Sequence, residues 1–170
     1  MKIIFNRPQI GVTTKEITIE RDGEKIGEMA RWFHSQEERI LGNPIDNINI
    51  KVSSREENYK IEKESAALDR GDRWSIYKDE LVIAEMAMEK RIKKKHRIHV
   101  KLDQSSELSI QATWKGNGVI TINDKQVGET KSTGFLFHSK IVMETENLDS
   151  VIAPTLFAGI TYVFWLSSRF

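Results

Sequence analysis

Val151-Ile152-Ala153-Pro154-Thr155-Leu156-Phe157-Ala158-Gly159-Ile160-Thr161-Tyr162-Val163-Phe164-Trp165-Leu166 runs without a charged side chain, and what surrounds it decides the fold. Its composition is that of a membrane span, but its length is marginal. Sixteen helical residues reach about 24 Å, against a hydrocarbon core of about 30 Å. Pro154 suits a first helical position, where a missing N–H costs nothing, and Asp149 and Ser150 stand just upstream as capping candidates. The stretch predicts a helix over Pro154–Ser167, apolar on nearly every face. Such a helix must be enclosed, either by lipid or by protein.

Upstream of it, alternation with a period of two dominates. Leu108, Ile110, Ala112 and Trp114 alternate with Ser109, Gln111 and Thr113; Ile98, Val100 and Leu102 alternate with His99 and Lys101. Phe135, Phe137, Ser139, Ile141 and Met143 share one face of a last strand, with His138 and Lys140 on the other. Each stretch reads as a strand with one buried side. Turn residues such as Asp22-Gly23, Asn43-Pro44, Gly71-Asp72, Gly116-Asn117-Gly118 and Asn123-Asp124 separate them. The reading predicts twelve strands, near 2–5, 16–20, 25–32, 45–52, 58–64, 73–77, 81–89, 96–102, 107–114, 118–122, 126–131 and 135–143. A short helical turn is predicted over 35–41, with Glu37 and Glu38 early and Arg39 late.

One hairpin pattern recurs. Ile19-Glu20-Arg21-Asp22 leads to Ile26-Gly27-Glu28, Ile76-Tyr77-Lys78-Asp79 to Ile83-Ala84-Glu85, and Ile122-Asn123-Asp124 to Val127-Gly128-Glu129 over a shorter connection. A true repeat implies a sheet of similar units, in which the small residue admits a close neighbour. Twelve antiparallel strands can close into one barrel, with a lumen between those of the filled eight-stranded and the channel-forming sixteen-stranded kinds. A helix about 10–12 Å across fits that space. The expected fold is therefore mainly β: one domain over residues 1–170, a closed antiparallel barrel of twelve strands enclosing a helix at 150–167. The alternatives are a cytosolic β domain tail-anchored through 151–166, or a carrier or enzyme using the barrel mouth.

Here the chain resembles the tubby C-terminal-like superfamily, which includes LURP-one-related proteins, phospholipid scramblases and small bacterial members. The residues that carry the resemblance are Trp74-Ser75-Ile76-Tyr77-Lys78-Asp79, Leu81-Val82-Ile83-Ala84-Glu85 and Leu156-Phe157-Ala158-Gly159-Ile160. It implies a twelve-stranded barrel around a hydrophobic C-terminal helix and, for some members, lipid or membrane-surface association. No position matches the phosphoinositide-binding residues of tubby proteins, and the palmitoylated cysteine cluster of scramblases has no counterpart.

The 170 residues include no cysteine, which excludes disulfides, thiolate metal sites and cysteine nucleophiles and fits a reducing compartment. The expected location is the cytoplasm, with contact to a membrane at its periphery. The N-terminal Met1-Lys2-Ile3-Ile4-Phe5-Asn6-Arg7 is too short and too soon charged for a signal sequence.

Charge is segregated although the net value is only +1. Lys90, Arg91, Lys93, Lys94, Lys95 and Arg97 fall within eight residues; without these six, 20 Lys and Arg face 25 Asp and Glu. Between two predicted strands, this run is the candidate site for a lipid headgroup or other anion. Basic residues near an anionic bilayer contribute about 1 kcal/mol each, screened by salt. No aromatic residue interleaves the run, which disfavours single-stranded nucleic acid as partner. An exposed strand edge guarded by lysines has the same composition.

His96 and His99 face opposite sides if they lie on a strand, so a shared metal is not expected. Glu28, Glu85 and Glu129 recur in the hairpins and are expected to be spread around the barrel rather than paired for acid–base work. Trp32, Trp74 and Trp114 are expected in the core. No phosphate loop, nucleophile elbow, zinc-helix motif or calcium loop occurs, so neither enzymatic activity nor a cofactor is expected.

Overall fold

The computed structural model describes residues 1–7, 13–41, 47–64, 71–89, 96–102, 105–134, 139–146 and 148–167. Twelve strands run in chain order: β1 (Lys2–Asn6), β2 (Ile17–Arg21), β3 (Glu24–Trp32), β4 (Asn49–Ser53), β5 (Asn58–Lys63) and β6 (Arg73–Lys78), then β7 (Leu81–Met88), β8 (Arg97–Lys101), β9 (Glu107–Ala112), β10 (Gly118–Ile122), β11 (Lys125–Thr133) and β12 (Lys140–Thr145). Each pairs antiparallel with its neighbours in sequence, and β1 closes the barrel on β12 from Lys2 opposite Glu144 to Asn6 opposite Lys140. A short helix α1 (Gln36–Leu41) follows β3, and α2 (Pro154–Ser167) follows β12.

Alternation sets which side chains point inward. Ile3 and Phe5 on β1, Ile50 and Val52 on β4, and Trp74 and Ile76 on β6 are all at most 1% exposed. The helix supplies their common partner. Twelve of its fourteen residues are buried, on every face. Protein, rather than lipid, therefore encloses this stretch, and among the described residues no helix is long and apolar enough to cross a membrane. A 3-10 turn at Leu148–Ser150 leads in, so the helix starts at Pro154 and not at 150. Gly159, midway along it, lets the barrel wall approach: a Cβ there would lie 2.7 Å from Val52 Cγ2 and 3.1 Å from Ile61 Cδ1.

The repeated hairpins are real and closer in geometry than the sequence spacing suggests. They are β2–β3, β6–β7 and β10–β11, four strands apart around the barrel. In each, an isoleucine (Ile19, Ile76, Ile120) pairs with the small residue (Gly27, Ala84, Gly128), and the register then slips past one bulged apolar residue: Ile26, Ile83 or Val127. The third copy therefore aligns from Ile120, not Ile122, and its connection is no shorter. The turns place consecutive residues at positive φ: Asp22-Gly23, Asp79-Glu80 and Asn123-Asp124. This left-handed pair suits the twist of a two-residue hairpin loop. The small residue has the predicted use, since a Cβ on Gly27 would meet Ser53 O at 2.5 Å and Thr155 of the helix at 3.0 Å.

The remaining differences are at strand ends. The strand predicted over 107–114 stops at Ala112, and the one predicted from 45 begins at Asn49. The last strand begins at Lys140 and extends to Thr145; Phe135, Phe137 and His138 lie outside the described residues. Helix α1 is capped by Ser35, whose Oγ accepts from Glu38 N at 3.0 Å, while Glu38 Oε2 accepts from His34 N at 2.6 Å.

The candidate anion-binding end of the barrel

The three hairpin turns and the start of α2 mark one end of the barrel, and the C-terminus of α2 marks the other. The residues that flank the basic run, Glu89 and His96, lie at this second end. Lys90, Arg91, Lys93, Lys94 and Lys95 lie outside the described residues, but their flanks are placed. Glu89, after β7, donates its N–H to Arg97 O at 3.1 Å. His96 turns inward to the helix terminus: its Nε2 is 3.1 Å from Phe164 O and 3.3 Å from Ser167 Oγ, and its ring lies 4.9 Å from that of Phe164. His99 faces outward, its Nδ1 2.8 Å from Glu107 Oε1 and its Nε2 2.8 Å from Glu89 Oε1. The two histidines face opposite sides as predicted, and each has a structural engagement.

Arg97 is the one basic residue of the candidate set within the described part. It does not project with a loop. From the outer face of β8 its Nη2 donates to Ser109 Oγ at 3.1 Å and to Asp124 Oδ1 at 3.4 Å. Its guanidinium is thus already committed to the barrel wall.

Trp114 departs from expectation. Expected in the core, it is 83% exposed, because the chain leaves β9 for a turn at Ala112. Thr113 N donates to Asn117 O at 2.7 Å and Gly116 N to Thr113 O at 3.2 Å, which holds that turn, and Lys115 Nζ lies 5.3 Å from the indole centroid. Ala112 N donates to His96 O at 2.8 Å. The exposed Trp114-Lys115 pair therefore sits on the turn that follows β9, the neighbour of β8, into which the basic run leads. Trp74 is in the core as predicted, fully buried with its indole N–H donating to Ile48 O at 2.8 Å. Trp32 is half-buried on the outer face, with Lys60 Nζ 4.7 Å and Lys51 Nζ 5.7 Å from its ring.

Near Trp32, a groove of about 630 Å³ runs over β3 to β6. Lys51 and Lys60 line it together with Glu16, Glu28, Asp79 and Glu80, so it presents both signs of charge rather than an anion cradle. Lys60 is moreover paired with Glu62 at 2.7 Å. Glu28, Glu85 and Glu129 stand on β3, β7 and β11 and are spread around the barrel as predicted. Among the described residues, no group of three or more His, Asp or Glu side chains could hold a metal ion.

A cation inside the barrel, Arg31, was not among the residues singled out from the sequence. Arg31 is 2% exposed; its Nη2 donates to Asn47 O at 2.8 Å and its guanidinium lies 5.1 Å from the Phe33 ring. Burial draws its pKa below the usual value. Burial likewise pushes the Tyr162 hydroxyl well above its ordinary value, with Arg31 a weaker opposing influence. The strand pattern offers a signal only in hindsight: Arg31 continues the inward phase of Gly27 and Met29.

Residues 4–167 match the model of a family described as the Tubby C-terminal like domain. No curated protein and no solved structure matches the chain.

Proposed function

The chain belongs to the Tubby C-terminal like domain family, and we propose that it is a non-catalytic barrel whose basic end rests on anionic phospholipid surfaces. The observation that carries this reading is the exposed Trp114-Lys115 turn beside the strand that receives the basic run. Indole rings favour the headgroup level of a bilayer, and lysines beside them add attraction to anionic lipid. Lys90, Arg91, Lys93, Lys94 and Lys95 supply the long-range attraction, and Trp114 the short-range contact. Arg97, held by Ser109 and Asp124, contributes to the field without leaving the wall. The protein then works in the cytoplasm and docks peripherally, its helix staying inside the barrel.

Flotation with phosphatidylcholine vesicles, with and without phosphatidylserine, tests this at low and high salt. The expected result is binding to the anionic vesicles alone, lost in high salt. Charge reversal at Lys93, Lys94 and Lys95 abolishes it, and Trp114→Ala weakens it, neither change altering the unfolding midpoint. Salt-resistant binding to both vesicles, or unchanged binding by the charge-reversed protein, overturns the assignment.

A further inference from the structure

The three repeated hairpins act as controls for one another. In each, the first residues after the turn extend beyond the reach of the next strand. Pairing of β3 with β4 begins at Glu28, that of β7 with β8 at Glu85, and that of β11 with β12 at Gly128. Residues 24–27, 81–84 and 125–127 thus form equivalent edge segments at the turn end. The third is partly closed, because Glu146 N donates to Val127 O at 2.9 Å.

Their side chains differ in kind. The first edge opens with Glu24-Lys25 and the third with Lys125-Gln126, all exposed. Charged residues are what proteins place on edges to prevent strand addition. The middle edge opens with Leu81-Val82, 71% and 58% exposed. The bulged residue follows the same division. Ile26 and Val127 pack against the core, whereas Ile83 is 40% exposed. Among the described residues, no backbone group outside β6 bonds to 81–84. The middle hairpin therefore offers an open edge carrying three adjacent apolar side chains.

Charge selects the occupant. Asp79 and Glu80 stand at the turn, and Glu85 at the far end of the segment. Of the nearby cations, Lys78 is taken by Glu57 at 2.7 Å, and Lys101 stands opposite Glu85 in register. Pairing two such edges about a twofold axis, Leu81 opposite Ala84, brings the Asp79-Glu80 turn of each copy towards the Glu85 end of the other's segment, where like charges meet, which is unfavourable. The same acidic flanks repel an anionic bilayer.

We infer that residues 81–84 are a docking edge for an extended segment of another protein, apolar at its centre and flanked by lysine or arginine, which adds as a strand to β7. The edge lies at the opposite end of the barrel from Trp114 and from His96, where the basic run enters β8. A partner held there stays accessible while the basic end is occupied.

The test uses the full chain, isotope-labelled, with two synthetic probes: acetyl-KKVTITVKK-amide and its acidic-flanked counterpart acetyl-EEVTITVEE-amide. The basic-flanked peptide is expected to shift the amide resonances of 81–84 and to leave those of 24–27 and 125–127 unmoved. The acidic-flanked peptide is expected to bind at least about tenfold more weakly. Leu81→Glu with Val82→Lys, which installs the residues of the first hairpin, removes the response without changing the unfolding midpoint. Equal shifts at all three hairpins, or none at 81–84, refute the proposal. So does concentration-dependent dimerisation through this edge, which makes a second copy the occupant. Vesicle binding that disappears with the same double substitution refutes it by making lipid the occupant.

Discussion

Replacing Gly159 by alanine sets two opposing effects against each other, and the distances decide which prevails. Alanine in a helix interior is favoured over glycine by about 1 kcal/mol. The added methyl, however, would lie 2.7 Å from Val52 Cγ2 and 3.1 Å from Ile61 Cδ1. The Ile61 methyl is the end of a flexible chain and can give way. Val52 is β-branched, held on β4 and 1% exposed, so its methyl has nowhere to turn. Overpacking of this kind costs about 1–3 kcal/mol, leaving Gly159→Ala destabilised by about 0–2 kcal/mol. Val52→Ala alone loses buried methyl groups and opens a void, at about 2 kcal/mol. In the double variant the clash disappears, the helix gain remains and the new methyl enters the vacated space. The pair should therefore be more stable than the sum of the singles by about 1–3 kcal/mol. Urea unfolding followed by circular dichroism supplies all four corners of the cycle. If Gly159→Ala alone gains the full propensity term and the coupling vanishes, helix and wall are not in contact and the reasoning fails.

Ending the chain at Asp149 removes Leu156, Phe157, Ile160, Tyr162, Val163, Phe164 and Trp165, all at most 3% exposed. At about 1.5–3 kcal/mol each, their burial exceeds the about 5–15 kcal/mol net stability of a domain. The shortened chain should show no cooperative transition by calorimetry; a sharp one would mean that the strands hold themselves. Glu57 is kept below its ordinary pKa of 4.5, first by the hydrogen bond from Lys78 and then by that from Tyr59. A depressed carboxylate stabilises above its unfolded pKa, and that contribution fades as pH falls through the folded value. Glu57→Gln should accordingly lower the unfolding midpoint at neutral pH, with the gap to the parent closing below 4.5; a gap constant with pH contradicts the ion-pair account.

The architecture was legible because its two signals are local. Alternation such as Ile98, Val100 reports a half-buried strand within a few residues, and sixteen residues without a charge report an enclosed helix whatever encloses it. Strand ends were less legible, since they depend on partners. Trp114 continues the alternation of β9, but pairing with β10 resumes only at Gly118, so the turn between carries the indole outward. The hairpin repeat was visible, whereas its equal spacing emerged only once the bulges at Ile26, Ile83 and Val127 were placed. Nor could alternation distinguish the guarded edges from the open one, because exposure of Leu81 and Val82 follows from where β8 stops. Of the proposed anion site, the sequence supplies the charges and the structure supplies Trp114 and the restraint on Arg97. Lys90 to Lys95 contribute through sequence alone.

The enclosed helix follows all twelve strands in chain order, which gives the domain a particular history during synthesis. Domains generally begin to fold from the end made first. Here the first strand finds its second neighbour only when β12 is made, and the inward faces find their filling later still. Until then, a chain able to form hairpins one by one has nothing to wrap around. The contacts that complete it join distant parts of the sequence, the kind of topology that folds slowly. Charged edges such as Glu24-Lys25 and Lys125-Gln126 then have a second use, protecting a sheet that must wait for its core.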